Sequence, residues 1–259
     1  MIEPSGRFAY IVDNSSSGDN GIWVYSIDQS TGALSLVNGS PFGEASGILL
    51  AVSPNGKFLF NAGNGSITSY TFDNGRPVQA GTPLPGGENF FCCRPNLTGR
   101  LLVSSNSQFV YLLNEAANSL DKPADQLYVY AIAPSGVLTP IAGSPFTLDS
   151  KWLFNEMALT PDGRFLYLAA WDVLGDSGGT VRGFAIDTSS GAITGRIPGF
   201  PLIGNNGFFE VLADFSGKFL YVHNLSGGIV VTYTINADGA ITQSSVLSDP
   251  IGVENVLGP

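Results

Sequence analysis

The chain has 259 residues, 44% hydrophobic and only 12% charged, with 33 Gly and 16 Pro. Its apolar content excludes a disordered chain, and no apolar run is long enough to span a bilayer despite a mean hydropathy of +0.19. A net charge of −10 and a pI near 4.3 exclude nucleic acid as a partner, since an acidic surface repels phosphate.

In chain order, the first feature is a short motif that returns four times. It reads GRFAY at 6–10, GKFLF at 56–60, SQFVY at 107–111, GRFLY at 163–167 and GKFLY at 217–221. Its aromatic anchors, Tyr10, Phe60, Tyr111, Tyr167 and Tyr221, recur roughly every 50 to 56 residues. A turn signal precedes the anchors, as in Pro4-Ser5-Gly6, Pro54-Asn55-Gly56 and Pro161-Asp162-Gly163. A second β run follows each: IWVYSI at 22–27, ITSYTF at 67–72, QLYVY at 126–130, VRGFAI at 181–186 and IVVTY at 229–233. A Gly turn then opens a third run, as in TGAL at 31–34, SGVL at 135–138, SGAI at 190–193 and DGAI at 238–241. A Pro closes the unit, and an apolar stretch such as ILLAV at 48–52 or EVLA at 210–213 leads into the next.

Four short strands in about 50 residues are the signature of a β-propeller blade. No helical period of useful length occurs, and runs such as FAYIV at 8–12 are apolar at both alternating positions. A sheet sandwiched between two others needs that pattern, because both of its faces must be dry. The predicted fold is therefore all-β: one β-propeller of five four-stranded blades at about 1–46, 47–87, 99–148, 153–204 and 207–250. Residues 251–259 read as an inner strand that would join the first blade and close the ring, since closure removes exposed sheet edges. The rival reading is an arc of a larger ring. In the third unit GRLLV at 99–103 could match the Tyr-bearing strand, but it fits better as the inner strand, with FVYLL at 109–113 beside it. That leaves 88–98 as an insertion, and its adjacent Cys92 and Cys93 staple no distant parts together. No leader is expected, because Glu3-Pro4-Ser5-Gly6 already fits the repeat; the compartment stays open.

The units SPNGKFLFNAGNGSITSYTF and TPDGRFLYLAAWDVLGDSGGTVRGFAIDTSSGAI, with the recurring GSPF, resemble the lactonase-family β-propellers, also called YVTN-type repeats. That group includes relatives of 6-phosphogluconolactonase and of carboxy-muconate cyclases. The resemblance covers essentially the whole chain and implies a propeller, usually of seven blades against the five found here. It also implies hydrolysis of a sugar or organic-acid lactone by His, Arg and Glu side chains around a central mouth. This chain has a single His, His223.

Aligning the units by their Gly-Lys/Arg turn gives one inner-strand position occupied by Leu49, Arg100, Glu156, Glu210 and Glu254. Inner strands line the propeller axis, so three carboxylates and a guanidinium are candidates for a central cavity. Carboxylates held together resist ionising at once unless a cation neutralises them. Glu156, Glu210 and Glu254 are thus candidate ligands of a divalent cation, the one cofactor left open, or of a small molecule. The bland reading of the same residues is a solvated channel lining. In the catalytic reading Arg100 holds the anionic part of a substrate, and His223 or Glu210 activates water. Long loops after the Tyr-bearing strands add Asp19, Glu115, Asp121, Asp172 and Asp176 to the same face as candidate ligand-binding groups. Trp152 and Trp171 either stack on a sugar or fill gaps between blades. No GxSxG elbow, phosphate loop or Cys/His zinc spacing occurs.

Overall fold

The computed structural model of the protein describes residues 1–13, 20–43, 45, 47–63, 65–86, 100–114, 125–148, 152–172, 179–199, 202–203, 209–224 and 228–248. These residues form five antiparallel sheets, one for each repeat. The first holds β1 (Phe8–Asp13), β2 (Gly21–Ile27) and β3 (Leu34–Leu36). The second holds β4 (Leu49–Val52), β5 (Phe58–Gly63), β6 (Ser66–Asp73) and β7 (Arg76–Gln79), with the short β8 (Leu84–Pro85) also on β6. The third holds β9 (Leu101–Val103), β10 (Phe109–Asn114), β11 (Gln126–Ile132) and β12 (Leu138–Pro140), with β13 (Phe146–Thr147) also on β11. The fourth holds β14 (Trp152–Leu159), β15 (Phe165–Asp172), β16 (Gly179–Ile186) and β17 (Ile193–Ile197), with β18 (Leu202–Ile203) also on β16. The fifth holds β19 (Phe209–Ala213), β20 (Phe219–Asn224), β21 (Ile229–Ile235) and β22 (Ile241–Ser248).

Each sheet is a meander in sequence order, which is the propeller-blade topology. In the third sheet β9 is the inner strand and β10 carries the Tyr. In the first, the place inside β1 is occupied along Ala9 and Tyr10 by the N-terminus. Ile2 bridges Ala9, and Tyr10 N–H donates to the Met1 carbonyl at 2.8 Å. The expected pairing of 251–259 with the first blade, and the segment carrying Cys92 and Cys93, lie outside the described residues.

The strands of the middle blades are buried on both faces, as β5 and β10 are at every residue. Their pleat sends alternate side chains into the two junctions with neighbouring blades. Phe109, Tyr111 and Leu113 of blade 3 pack with Phe154, Leu166 and Leu168 of blade 4. Phe165, Tyr167 and Ala169 of blade 4 pack with Val211, Leu220 and Val222 of blade 5. The recurring motif is the contact that makes these junctions. The Tyr10 hydroxyl donates to the Gly75 carbonyl at 3.0 Å, Tyr111 to Gly191 at 3.2 Å and Tyr167 to Gly239 at 2.8 Å. Every one of these glycines lies in the third turn of the next blade. The motif Phe covers the same glycine. A Cβ at Gly75, Gly191 or Gly239 would stand 2.5 Å from Phe8, Phe109 or Phe165, and all three glycines have φ between +74° and +83°. Both the close approach and the left-handed backbone require glycine there.

Two further motifs have local roles. The first residue of each turn before the motif caps it: Ser53, Ser104 and Thr160 accept from the N–H of Phe58, Phe109 and Phe165 at 3.0, 2.9 and 3.1 Å. An Asp214 carboxylate does the same for Phe219 at 2.9 Å. In GSPF, the Ser40 and Ser144 hydroxyls accept from the N–H of Val24 and Val129, continuing the ladder where the outer strand breaks off.

Two predictions follow from the junctions. Gly191→Ala should lose about 2–4 kcal/mol in denaturant unfolding, through left-handed strain plus overpacking against Phe109. Gly32→Ala, at the same turn of blade 1 but with nothing within 4 Å of its Cβ, should lose only about 1–2 kcal/mol. Burial pushes the phenols of Tyr10, Tyr111, Tyr130 and Tyr167 well above their ordinary value of 10.0. A raised acid stabilises the fold through its neutral form. That stability is complete below pH 10 and declines as pH rises beyond it toward the raised folded values. A step in tyrosinate absorbance should therefore accompany the loss of β circular dichroism. Gain of the full tyrosinate absorbance on an intact fold would count against it.

Candidate functional site

The site is built on the strand register. Leu49 pairs with Ala62, Glu156 with Ala169 and Glu210 with His223; each partner is the residue two after the motif aromatic. Arg100 immediately precedes Leu101, whose partner Leu112 immediately precedes Leu113, the equivalent residue. The shared inner-strand position expected from the sequence is thus a structural one. At this position the pleat aims toward the next blade in turn. Leu49 lies in a cluster with Leu101, Val110 and Leu112 of blade 3. A bulge between Phe154 and Glu156 keeps Phe154 in the junction with blade 3. It places Glu156 beside Ala169, whose cluster faces blade 5.

Of the candidates, Glu210 and His223 are brought together. They are direct cross-strand partners on β19 and β20, where side chains on one face stand close. The His223 Nδ1 lies 3.5 Å from the Glu210 Oε2, with side-chain exposures of 4% and 15%. A carboxylate at Nδ1 favours the tautomer with the proton on that nitrogen, leaving Nε2 as the basic one. That is the arrangement of an oriented general base.

Arg100 is 1% exposed, among the largest fully buried side chains, and is engaged within the protein. Burial of a guanidinium is tolerable only when it is paired. Glu156 is also buried and engaged. Asp172 is the last residue of β15. Glu254, Glu115, Asp176, Asp19 and Asp121 lie outside the described residues. Among the described residues, no three His, Cys, Asp or Glu side chains are grouped to hold a metal ion.

One buried acid was not singled out in the sequence. Asp125 is 2% exposed at the foot of β11, and its Oδ2 accepts from the Phe154 N–H at 2.7 Å. It ties blade 3 to the bulge in the inner strand of blade 4. Its place at the end of a long loop gave the only hint, and its neighbours in sequence gave none. Asn114, at the end of β10, has a buried Oδ1 with no hydrogen-bond partner.

Residues 1–85 match the model of the family described as lactonase, 7-bladed β-propeller. No curated protein matches the sequence. Among solved structures the chain is similar to the periplasmic gluconolactonase PpgL of Pseudomonas aeruginosa. Identity is 20% and the TM-score 0.66, over 96% of this chain and 69% of that one. It is also similar to a protein from Bacteroides uniformis described as a 6-phosphogluconolactonase by assignment only (16% identity, TM-score 0.59, 96% of this chain and 84% of that one). The hydrazine synthase of Kuenenia stuttgartiensis shares the fold as well (16%, 0.59, 90% and 63%). The resemblance carried by the repeats is borne out in the fold: the chain is a β-propeller, and its first third matches the lactonase propeller model. Five blades are described, against the seven in the family's description.

Asp125→Ala should cost about 1–3 kcal/mol in denaturant unfolding by orphaning the buried Phe154 N–H. Asp125→Asn, which keeps an acceptor, should recover part of that loss. Equal effects of the two substitutions would show that this hydrogen bond is not what the carboxylate contributes.

Proposed function

We propose that the protein is a lactone hydrolase acting on a sugar or organic-acid lactone. The observation that carries this reading is the Glu210–His223 pair, a carboxylate held against one imidazole nitrogen on adjacent strands. His223 Nε2 takes a proton from water as its oxygen attacks the lactone carbonyl. The bond from the acyl carbon to the ring oxygen then breaks, and the imidazolium returns the proton to that oxygen. The product is the open-chain hydroxy acid, with one water consumed. Glu210 stabilises the imidazolium while it carries the proton. The lactonase-type fold and the name of the Pseudomonas aeruginosa neighbour support the substrate class. Arg100, buried and engaged within the protein, is assigned no step in this reading.

The burial of both Arg100 and His223 favours a second reading, a propeller that binds a ligand without turning it over. One assay separates the two. Glucono-δ-lactone hydrolysis is followed by acid release, with spontaneous opening subtracted. The wild type should exceed the spontaneous rate. His223→Gln should lower kcat by about 100-fold or more, and Glu210→Gln by a smaller factor. A wild-type rate equal to the spontaneous one across sugar and organic-acid lactones sinks the hydrolase reading.

A further inference from the structure

The face of blade 3 that packs on blade 2 is apolar along most of its length. Val110, Leu112 and Tyr130 lie there in one cluster with Phe60, Ala62 and Ile67 of blade 2, and Tyr128 packs against it. The pattern breaks at the end of the strands. Two residues beyond Leu112, Asn114 pairs with Gln126, and Gln126 pairs with Thr147 of β13. Cross-strand partners share a face of the sheet, so Asn114, Gln126 and Thr147 form one polar row across three strands, with Tyr128 alongside. The row runs from rim to interior. Thr147 is exposed, Gln126 and Tyr128 are half-buried, and Asn114 is 7% exposed.

The row ends on an atom with nothing to bind. The Asn114 Oδ1 is buried without a hydrogen-bond partner, which costs stability unless a donor from outside the chain supplies one. The equivalent Asn224 of blade 5 is also buried, yet it is engaged. The inner-strand position beneath Asn224 holds Glu156, whereas the one beneath Asn114 holds Leu49, so the apolar side chain there offers Asn114 no donor. The neighbours of Asn114 in the row complete a recognition surface. The Tyr128 hydroxyl donates to the Gln126 Oε1 at 3.0 Å, which leaves the Nε2 of that amide as a donor. The Tyr128 ring is stacked on Tyr130, with centroids 6.3 Å apart, and the Tyr130 hydroxyl holds the Pro85 carbonyl of blade 2. Beyond Pro85, blade 2 ends in backbone. The Gly86 N–H donates to the Gly65 carbonyl at 2.8 Å, and neither residue has a side chain to cover the row.

We propose that this row is a binding site for a neutral, hydroxyl-rich ligand, a sugar or polyol. A ligand hydroxyl donates to the Asn114 Oδ1, the Gln126 Nε2 donates to a second ligand oxygen, and the Tyr128 ring covers an apolar face of the ligand. The class follows from the groups present. All four side chains are uncharged, so nothing in the row pairs with an anion or a cation. A hydroxyl both donates and accepts, which is what a free amide oxygen beside a free amide nitrogen requires. The site is independent of the hydrolase reading, since the row belongs to blade 3 and the Glu210–His223 pair to blade 5.

A ligand-observed NMR titration with D-glucose, and with D-gluconate as its charged counterpart, tests this. Glucose binding should saturate with a Kd of about 1–10 mM, the range of a small polyol held by few hydrogen bonds. Asn114→Leu keeps the branched shape and removes the orphaned oxygen. It should fold as well as the wild type and bind glucose about tenfold more weakly. Gln126→Ala, at a half-buried position, should weaken binding by a similar factor. His223→Gln should leave it unchanged, and gluconate should bind no better than glucose. The absence of saturable glucose binding up to about 100 mM overturns the proposal. So does equal binding by the wild type and Asn114→Leu, or a preference for the anion. Loss of binding in His223→Gln overturns it too, because the sugar would then be held at the Glu210–His223 pair. A protein that hydrolyses no lactone leaves each of these outcomes as informative as before.

Discussion

The structure depends on one contact used repeatedly: an aromatic pair from one blade closing over a glycine turn of the next. The glycine answers two demands at that point. Its backbone is left-handed, and a Cβ would collide with the Phe ring. The Tyr hydroxyl then satisfies the glycine carbonyl, so a polar backbone group is buried without being orphaned. Everything else in a blade can vary around this contact. Phe60 replaces Tyr in the second unit, and there Tyr130 of blade 3 donates back to the Pro85 carbonyl of blade 2 instead.

The same construction explains where chemistry can be carried. A blade buried on both faces has little room for charge. Four exceptions lie at the inner-strand position, near the end of a second strand and at the foot of a third. Arg100, Asp125, Glu156 and His223 are all buried. Arg100 and Glu156 sit where the hydrophobic pattern of a blade would put another Leu49. Such groups are costly unless paired, and Arg100, Asp125 and Glu156 are each engaged within the protein. Glu210 and His223 meet because a fixed register sets them opposite each other on β19 and β20. The imidazole is thus oriented by a carboxylate on the adjacent strand and needs no loop to hold it.

A ring hides its edges and its blade faces together. Among the described residues, blade 5 exposes Leu212, Phe219 and Leu247 and blade 1 exposes Ile2, Ile11 and Leu36. An acidic net charge of −10 opposes association at long range, while these apolar faces favour it at contact.

The all-β fold and its five repeated units were legible in the sequence, because a repeat of about 50 residues repeats its local physics each time. The turn caps at Ser53, Ser104 and Thr160 and the shared inner-strand position both follow from aligning the units. The propeller fold was legible for the same reason. What the sequence could not show was direction. Aligned residues share a strand position, yet pleat and bulge decide that Glu156 turns toward blade 5 while Phe154 turns back toward blade 3. Nor could it single out Asp125 among the loop acids, since its partner, the Phe154 N–H, is a backbone group on the next blade. Local periodicity fixes which residues lie on which strand. Only the packing of blade on blade determines what each side chain meets there, because that contact joins residues a full repeat apart.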